Sequence, residues 1–160
     1  MSVADRGFFK EALETERFTE GEFQLGRLTG LPSIGFAYPF VHSGPIPCVA
    51  IATLDLGWLG RALGGSFIPP GVHATLFDRN GTVLAAFPEN PQLIGQRIEG
   101  SEQLMTASRA GVSVLVPSSP GGSDQLQAVV HMGDAESGAY LTVSYPASLA
   151  YAEANSRFLR

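Results

Sequence analysis

The chain has 160 residues, enough for one ordinary domain or two small ones. Hydrophobic residues make up 44% and charged residues 16%, which excludes a disordered chain. The formal net charge of −5, with Lys and Arg scattered singly, leaves no basic footprint for nucleic acid.

In chain order, Phe8, Phe9, Ala12 and Leu13 fall at helical spacing and predict a helix from about Gly7 to Thr15, with Asp5 as its N-cap. Phe18 to Gly21 reads as a loop and Glu22 to Thr29 as a weakly alternating strand, followed by a turn over Thr29-Gly-Leu-Pro32. Ser33 to Trp58 is the organising stretch, with two strands around a Gly/Pro loop at His42–Pro47. In the first strand Ile34, Phe36, Tyr38 and Phe40 share one face; the second ends on the anion Asp55 and a short helix through Leu56, Leu59 and Leu63. Pro69-Pro-Gly71 interrupts regular structure and suggests a boundary, giving domains 1–66 and 67–160. Beyond it, Asn80-Gly81 between two apolar alternating runs predicts a hairpin, and Ser101 to Arg109 a helix capped by Ser101. Three further strands, Val112–Val116, Gln125–Met132 and Ala139–Tyr145, precede a closing helix from Pro146 to Arg160. The second half thus reads as five strands behind a terminal helix. The first half, helix-strand-strand-strand-helix, ends like a smaller version of it.

Nineteen Gly and eleven Pro imply many turns and short strands, which favours a sheet-rich α+β fold over a helical bundle. The one cysteine, Cys48, sits in an apolar strand and reads as a small core residue. No signal-peptide pattern opens the chain, and no apolar run approaches the roughly 20 residues that span a bilayer. His42, His73 and His131 lie too far apart for a metal motif, so no metal and no cofactor is expected. Gly-x-Ser-x-Gly, Gly-x-Gly-x-x-Gly and phosphate-loop motifs are absent, so no catalytic residues are assigned. An unrecognised small hydrolase is the weakest of the functional readings.

The words Asp5-Arg-Gly-Phe-Phe9, Gly26-Arg-Leu-Thr-Gly30, Phe36-Ala-Tyr-Pro39, Leu54-Asp-Leu-Gly-Trp-Leu59, Pro69-Pro-Gly71, Phe77-Asp-Arg-Asn-Gly-Thr-Val-Leu84, Phe87-Pro88 and Ile94-Gly95 occur in this order over nearly the whole chain. The set resembles the double Cache family of extracytoplasmic sensor domains, in which two PAS-like sheets follow one another. The resemblance implies an α+β fold of PAS-like antiparallel sheets flanked by helices. Residues 1–66 would be the C-terminal part of a distal Cache domain, and 67–160 a five-stranded membrane-proximal one. The family's long opening helix and first distal strands have no counterpart, so the chain is either cut from something longer or carries half a distal domain. Such a half-sheet is expected to leave an apolar edge open to pairing with another chain, a possible homodimer.

The resemblance also implies a function. Double Cache domains sit on the periplasmic or extracellular face of the membrane in histidine kinases, diguanylate cyclases and chemoreceptors. They are anchored by transmembrane helices and pass ligand binding to a cytoplasmic output domain. Here the rod 146–160 would carry the signal. The family's ligand contacts match Arg6, Phe8 and Phe9 at the carboxylate end and Asp55 at the ammonium, and Tyr38 could line the same sheet. The expected ligand is a small molecule: an amino acid, an amine or an organic acid. Beside that reading, Asp55 could cap the helix at Leu56 while Arg6 pairs with a carboxylate. On that alternative the chain is a degenerate Cache-like interaction or dimerisation module without a small-molecule ligand.

Overall fold

A computed structural model describes residues 2–40, 48–65, 68–110, 124–133 and 138–151, and the backbone of 114–116. The His42–Pro47 loop, the turns at 117–123 and 134–137 and the closing-helix residues 152–160 lie outside the described residues. The chain divides into two compact units, Met1–Leu59 and Gly60–Arg160. No described helix is long and apolar enough to cross a membrane.

The first unit contains α1 (Gly7–Thr15), β1 (Thr19–Leu25), β2 (Pro32–Phe40) and β3 (Cys48–Asp55), and α2 (Leu56–Gly64) begins in it. The strands form an antiparallel sheet in the order β1-β2-β3. β1 starts at Thr19, three residues earlier than expected, because Thr19 and Glu20 pair with Ala37 and Phe36 before a register shift between Glu20 and Phe23. That bulge contains Gly21 and Glu22 and breaks the alternation that would have announced a strand.

Period two on β2 puts Gly35, Ala37 and Pro39 on one face and Ile34, Phe36, Tyr38 and Phe40 on the other. α1 covers the small-residue face, where Phe8 and Ala12 form a buried cluster with Ala37, flanked by Phe9 and Val49. A Cβ on Gly35 would lie 2.6 Å from Phe8 Cε1 and Cζ, and one on Gly21 would lie 3.0 Å from Phe8 Cδ1. Both glycines therefore give their Cβ space to one aromatic ring. The other face is open toward its far end: Tyr38 is 53% exposed and packs edge-on against exposed Phe40, ring centroids 5.2 Å apart. Tyr38 is thus not a core side chain. Cys48, at the start of β3, is exposed as well, so it is not a core residue.

The second unit contains β4 (His73–Asp78), β5 (Val83–Phe87), α3 (Ser101–Arg109), β6 (Val114–Val116), β7 (Gln125–Met132) and β8 (Ala139–Pro146), then helical residues 147–151. Its antiparallel sheet has the order β5-β4-β8-β7-β6. The Asn80-Gly81 hairpin forms as expected: Asp78 Oδ1 accepts from the amides of Asn80 and Thr82 at 2.9 and 2.8 Å, and Gly81 takes φ +78°. α3 lies on the sheet through Leu104, Met105 and Ala107, packed against Phe77, Val129 and Tyr140. The Phe77 and Tyr140 rings stack at 5.4 Å. Ser101 is not the cap of α3. Gly100 holds that position at φ +75°, and Ser101 is buried against Gly81, where an added Cβ would come 2.3 Å from its Oγ. The closing helix starts one residue later than expected, since Pro146 still pairs with Gln125 as the last residue of β8.

The Phe8 seat gives a quantitative expectation. Gly35→Ala should destabilise the protein by about 1–3 kcal/mol, the usual cost of overpacking. Adding Phe8→Leu should return part of that loss, because the two positions share one volume. Urea midpoints of the two single variants and the double variant measure the coupling, and strict additivity would contradict the seat.

Candidate ligand-binding site

Arg6, Phe8, Phe9 and Asp55 all lie on the α1 side of the first sheet or at its end. Arg6 holds the N-cap position of α1 in extended geometry, φ −72° and ψ 139°, with no side-chain cap bond. Its Nη2 donates to the Leu25 carbonyl at 3.2 Å, across the end of β1. Phe8 is 7% exposed and belongs to the helix–sheet cluster, while Phe9 is half-buried beside it.

Asp55 pairs in register with Ser33, which is buried and donates through Oγ to the Gln24 carbonyl at 3.4 Å. By alternation Asp55 follows Val49, Ile51 and Thr53 on the α1 side of β3. It is exposed, and its Oδ1 accepts the amide of Gly57 at 2.8 Å. That is an N-cap bond, since α2 begins at Leu56 and Gly57 is its second residue. The bond leaves Oδ2 as an acceptor for a cation or amine. Tyr38 stands on the opposite face and does not join the other four. Among the described residues no ion pair links Arg6 to Asp55.

The ion pair that does form was not legible in sequence. Asp5, expected as the cap of α1, instead meets Arg27 through both carboxylate oxygens, with Arg27 Nη1 to Oδ1 at 2.8 Å. Arg27 Nη1 also donates to the Ser2 carbonyl at 2.9 Å. A guanidinium fork matches a carboxylate edge in a way that a single backbone amide cannot, which is why the pair replaces the cap. The hydrogen bond from Arg27 is the main cause that holds the Asp5 carboxyl below its ordinary value, and the same bond raises Arg27. Two strapped arginines, Arg6 to Leu25 and Arg27 to Asp5, tie residues 2–6 to the end of β1.

Two open depressions flank α3 in the second unit. One of about 430 Å³ is lined by Arg97, Ile98, Glu99, Gly100, Ser101, Glu102 and Gln103, and one of about 530 Å³ by Glu102, Gln103, Thr106, Ala107 and Ala110. Neither is lined by the five predicted residues. Among the described residues no three His, Cys, Asp or Glu side chains come together as a metal site.

Two predictions follow from these bonds. As a cap, Asp55→Ala should cost about 1 kcal/mol and Asp55→Asn only a few tenths, read as a difference in thermal or urea midpoint. Equal losses would mean that the carboxylate charge, not its acceptor geometry, matters. For Asp5 the folded value is lowered, so its contribution is present above the unfolded carboxyl value and is lost as pH falls through the folded one. Carbonyl NMR should place its midpoint below that of an exposed peptide Asp, and Arg27→Gln should move it back up. Because the pair is solvent-exposed, the accompanying change in stability is small.

No protein-family model matches the chain, and no curated protein matches it. Solved structures do. The ligand-binding domain of the Pseudomonas fluorescens chemoreceptor CtaA in complex with L-isoleucine superposes with a TM-score of 0.68 at 18% identity, covering 96% of this chain and 62% of that one. Methyl-accepting chemotaxis protein X gives 0.74 at 19% identity, over 91% and 56%. The periplasmic sensory domain of the Campylobacter jejuni chemoreceptor Tlp1 gives 0.66 at 16%, over 90% and 56%. The chain spans less than two thirds of each of these structures. These likenesses, all under 20% identity, show the fold: the chain has the α+β, PAS-like fold of antiparallel sheets flanked by helices found in chemoreceptor ligand-binding domains.

Proposed function

We propose that the chain is the extracytoplasmic small-molecule sensor portion of a bacterial transmembrane signalling receptor, a binding module and not an enzyme. The observation that carries this reading is the superposition of more than nine tenths of the chain on chemoreceptor ligand-binding domains, one of them holding an amino acid. On this reading residues 1–66 are the later part of a distal Cache domain and 67–160 the membrane-proximal domain. The closing helix 146–160 leads toward membrane anchors and a cytoplasmic output domain, such as a chemoreceptor signalling region, a histidine kinase or a diguanylate cyclase.

The proposed ligand lies over the α1 side of β3. Asp55 Oδ2 accepts its ammonium, the Arg6 guanidinium pairs with its carboxylate, and Phe9 adds apolar surface, while Tyr38, on the opposite face, takes no part. Phe8 acts by holding α1, and hence Arg6, on the sheet. An amine is the natural partner for Asp55, because a carboxylate with one oxygen already committed to a helix amide keeps its charge for a second donor. Binding changes the output only in so far as the ligand prefers one of two positions of the closing helix.

A second reading, an interaction or dimerisation module without a small ligand, draws on the exposed pair Tyr38 and Phe40. A thermal-shift screen of amino acids, amines and organic acids separates the two. A ligand at about 100 times its Kd should add about 2.7 kcal/mol of stability. Asp55→Asn, which keeps the cap, should abolish that gain for amine ligands. No stabilisation of the wild-type protein by any compound would refute the sensor reading and leave the interaction module.

A further inference from the structure

Among the described elements α2 alone belongs to both units. It runs from Leu56 to Gly64, and the division between the units falls inside it, between Leu59 and Gly60. Its sequence, LGWLGRALG, has glycine at three of nine positions, Gly57, Gly60 and Gly64. Glycine is the weakest helix former after proline, and a helix this short gains little from its own length. α2 therefore depends on what holds its two ends.

Each end is held in a different unit. The first turn of α2 carries no acidic residue of its own. The Asp55 carboxylate supplies both the acceptor for the Gly57 amide, at 2.8 Å, and a negative charge beside the positive end of the helix. Leu56, 1% exposed, and Gly60 share one buried face at spacing i, i+4. In the last turn Gly65 donates to the Arg61 carbonyl at 2.9 Å. Gly64 lies against Phe87, where an added Cβ would come 3.2 Å from Cδ2 and 3.4 Å from Cε2 of the ring. Phe87 ends β5 and pairs with Ala74 of β4, so the last turn of α2 meets the second sheet directly.

We infer that α2 is a coupling element: the state of the Asp55 carboxylate sets how far α2 is helical, and its last turn delivers that to Phe87 and β5. Helix formation is cooperative, so in a helix of about two and a half turns a first turn that frays promotes fraying of the turns that follow. Asp55 is thus a positioning residue for the far end of α2, acting through the helix and not by contact. The coupling is a property of the chain and needs no ligand. That a ligand drives it rests on the reading of Asp55 as the ammonium receptor, since an ammonium on Oδ2 draws on the same charge that holds the cap.

Amide hydrogen exchange and aromatic NMR of the whole chain, without ligand, test the coupling, with the Thr142 amide of β8 as the reference for global unfolding. Asp55→Ala should speed exchange at Gly65 by about two- to fivefold relative to Thr142, the size of an N-cap contribution, and should shift the Phe87 ring resonances. Asp55→Asn, which keeps the cap, should leave both near wild type. Gly60→Ala adds helix propensity at a position where a Cβ would meet nothing within 4 Å. Placed in the Asp55→Ala background, it should bring Gly65 and Phe87 back toward wild type. Faster exchange confined to residues 57–59, with Gly65 and Phe87 unmoved, overturns the inference. So does a double variant in which Gly60→Ala restores neither. Because no ligand enters this test, its failure leaves the sensor reading standing, and failure of the thermal-shift screen leaves the coupling standing.

Discussion

One aromatic ring decides how the first unit is built. Phe8 needs a flat place on the sheet, and the sheet supplies it by leaving out two Cβ atoms, at Gly21 and Gly35. Close approach of α1 brings Ala12 onto Ala37 and seals that face. It also sets Arg6, at the N-cap, beside the end of β1, where its guanidinium reaches the Leu25 carbonyl. Everything proposed for the α1 side depends on this helix staying down. Burying a Phe side chain contributes about 1.5–3 kcal/mol, a large share of what a small sheet with one covering helix can hold.

The cost of that choice falls on the other face. Covering the small residues leaves Tyr38 and Phe40 outside, along with Phe18, whose ring lies parallel to Phe36 at 6.0 Å. In the second unit β8 has neighbours on both sides and its Tyr140 stacks on Phe77 beneath α3, while Leu126, Val130, Met132 and Val143 stay exposed. The second unit offers open depressions beside α3, and the first a carboxylate with one oxygen bonded to the Gly57 amide.

Much of this was legible in the sequence, and the failures share a cause. The strands β2 and β3, the Asn80-Gly81 hairpin and the helices α1, α2 and α3 were announced by periodicity and turn chemistry, which are local. The side of β2 that is covered was not, because alternation gives two faces and hydrophobicity favoured the aromatic one, whereas packing of Phe8 required the small one. The same ring hid the start of β1, since the glycine that accommodates it sits in a bulge. Asp5 read as a cap because capping is a local rule, but its partner Arg27 is 22 residues away. Cys48 read as core because burial was inferred from strand composition, whereas it is exposed at the start of β3, the last strand in the sheet order. The cap at Asp55 was foreseen, since it depends only on the next two residues. The resemblance to double Cache domains succeeded at the level of fold because it used the order of many weak motifs.

The central claim is that a small amine or amino acid binds on the α1 side of β3 through Asp55 and Arg6. An NMR titration of the labelled chain with the compounds that stabilise it addresses this most directly, because the Gly57 amide is bonded to the Asp55 carboxylate and reports on any new partner of it. The account predicts saturable shifts of the Gly57 amide and of the Arg6 guanidinium resonances, with little change at α3. Shifts confined to residues 97–110, or none at saturating ligand, would contradict it.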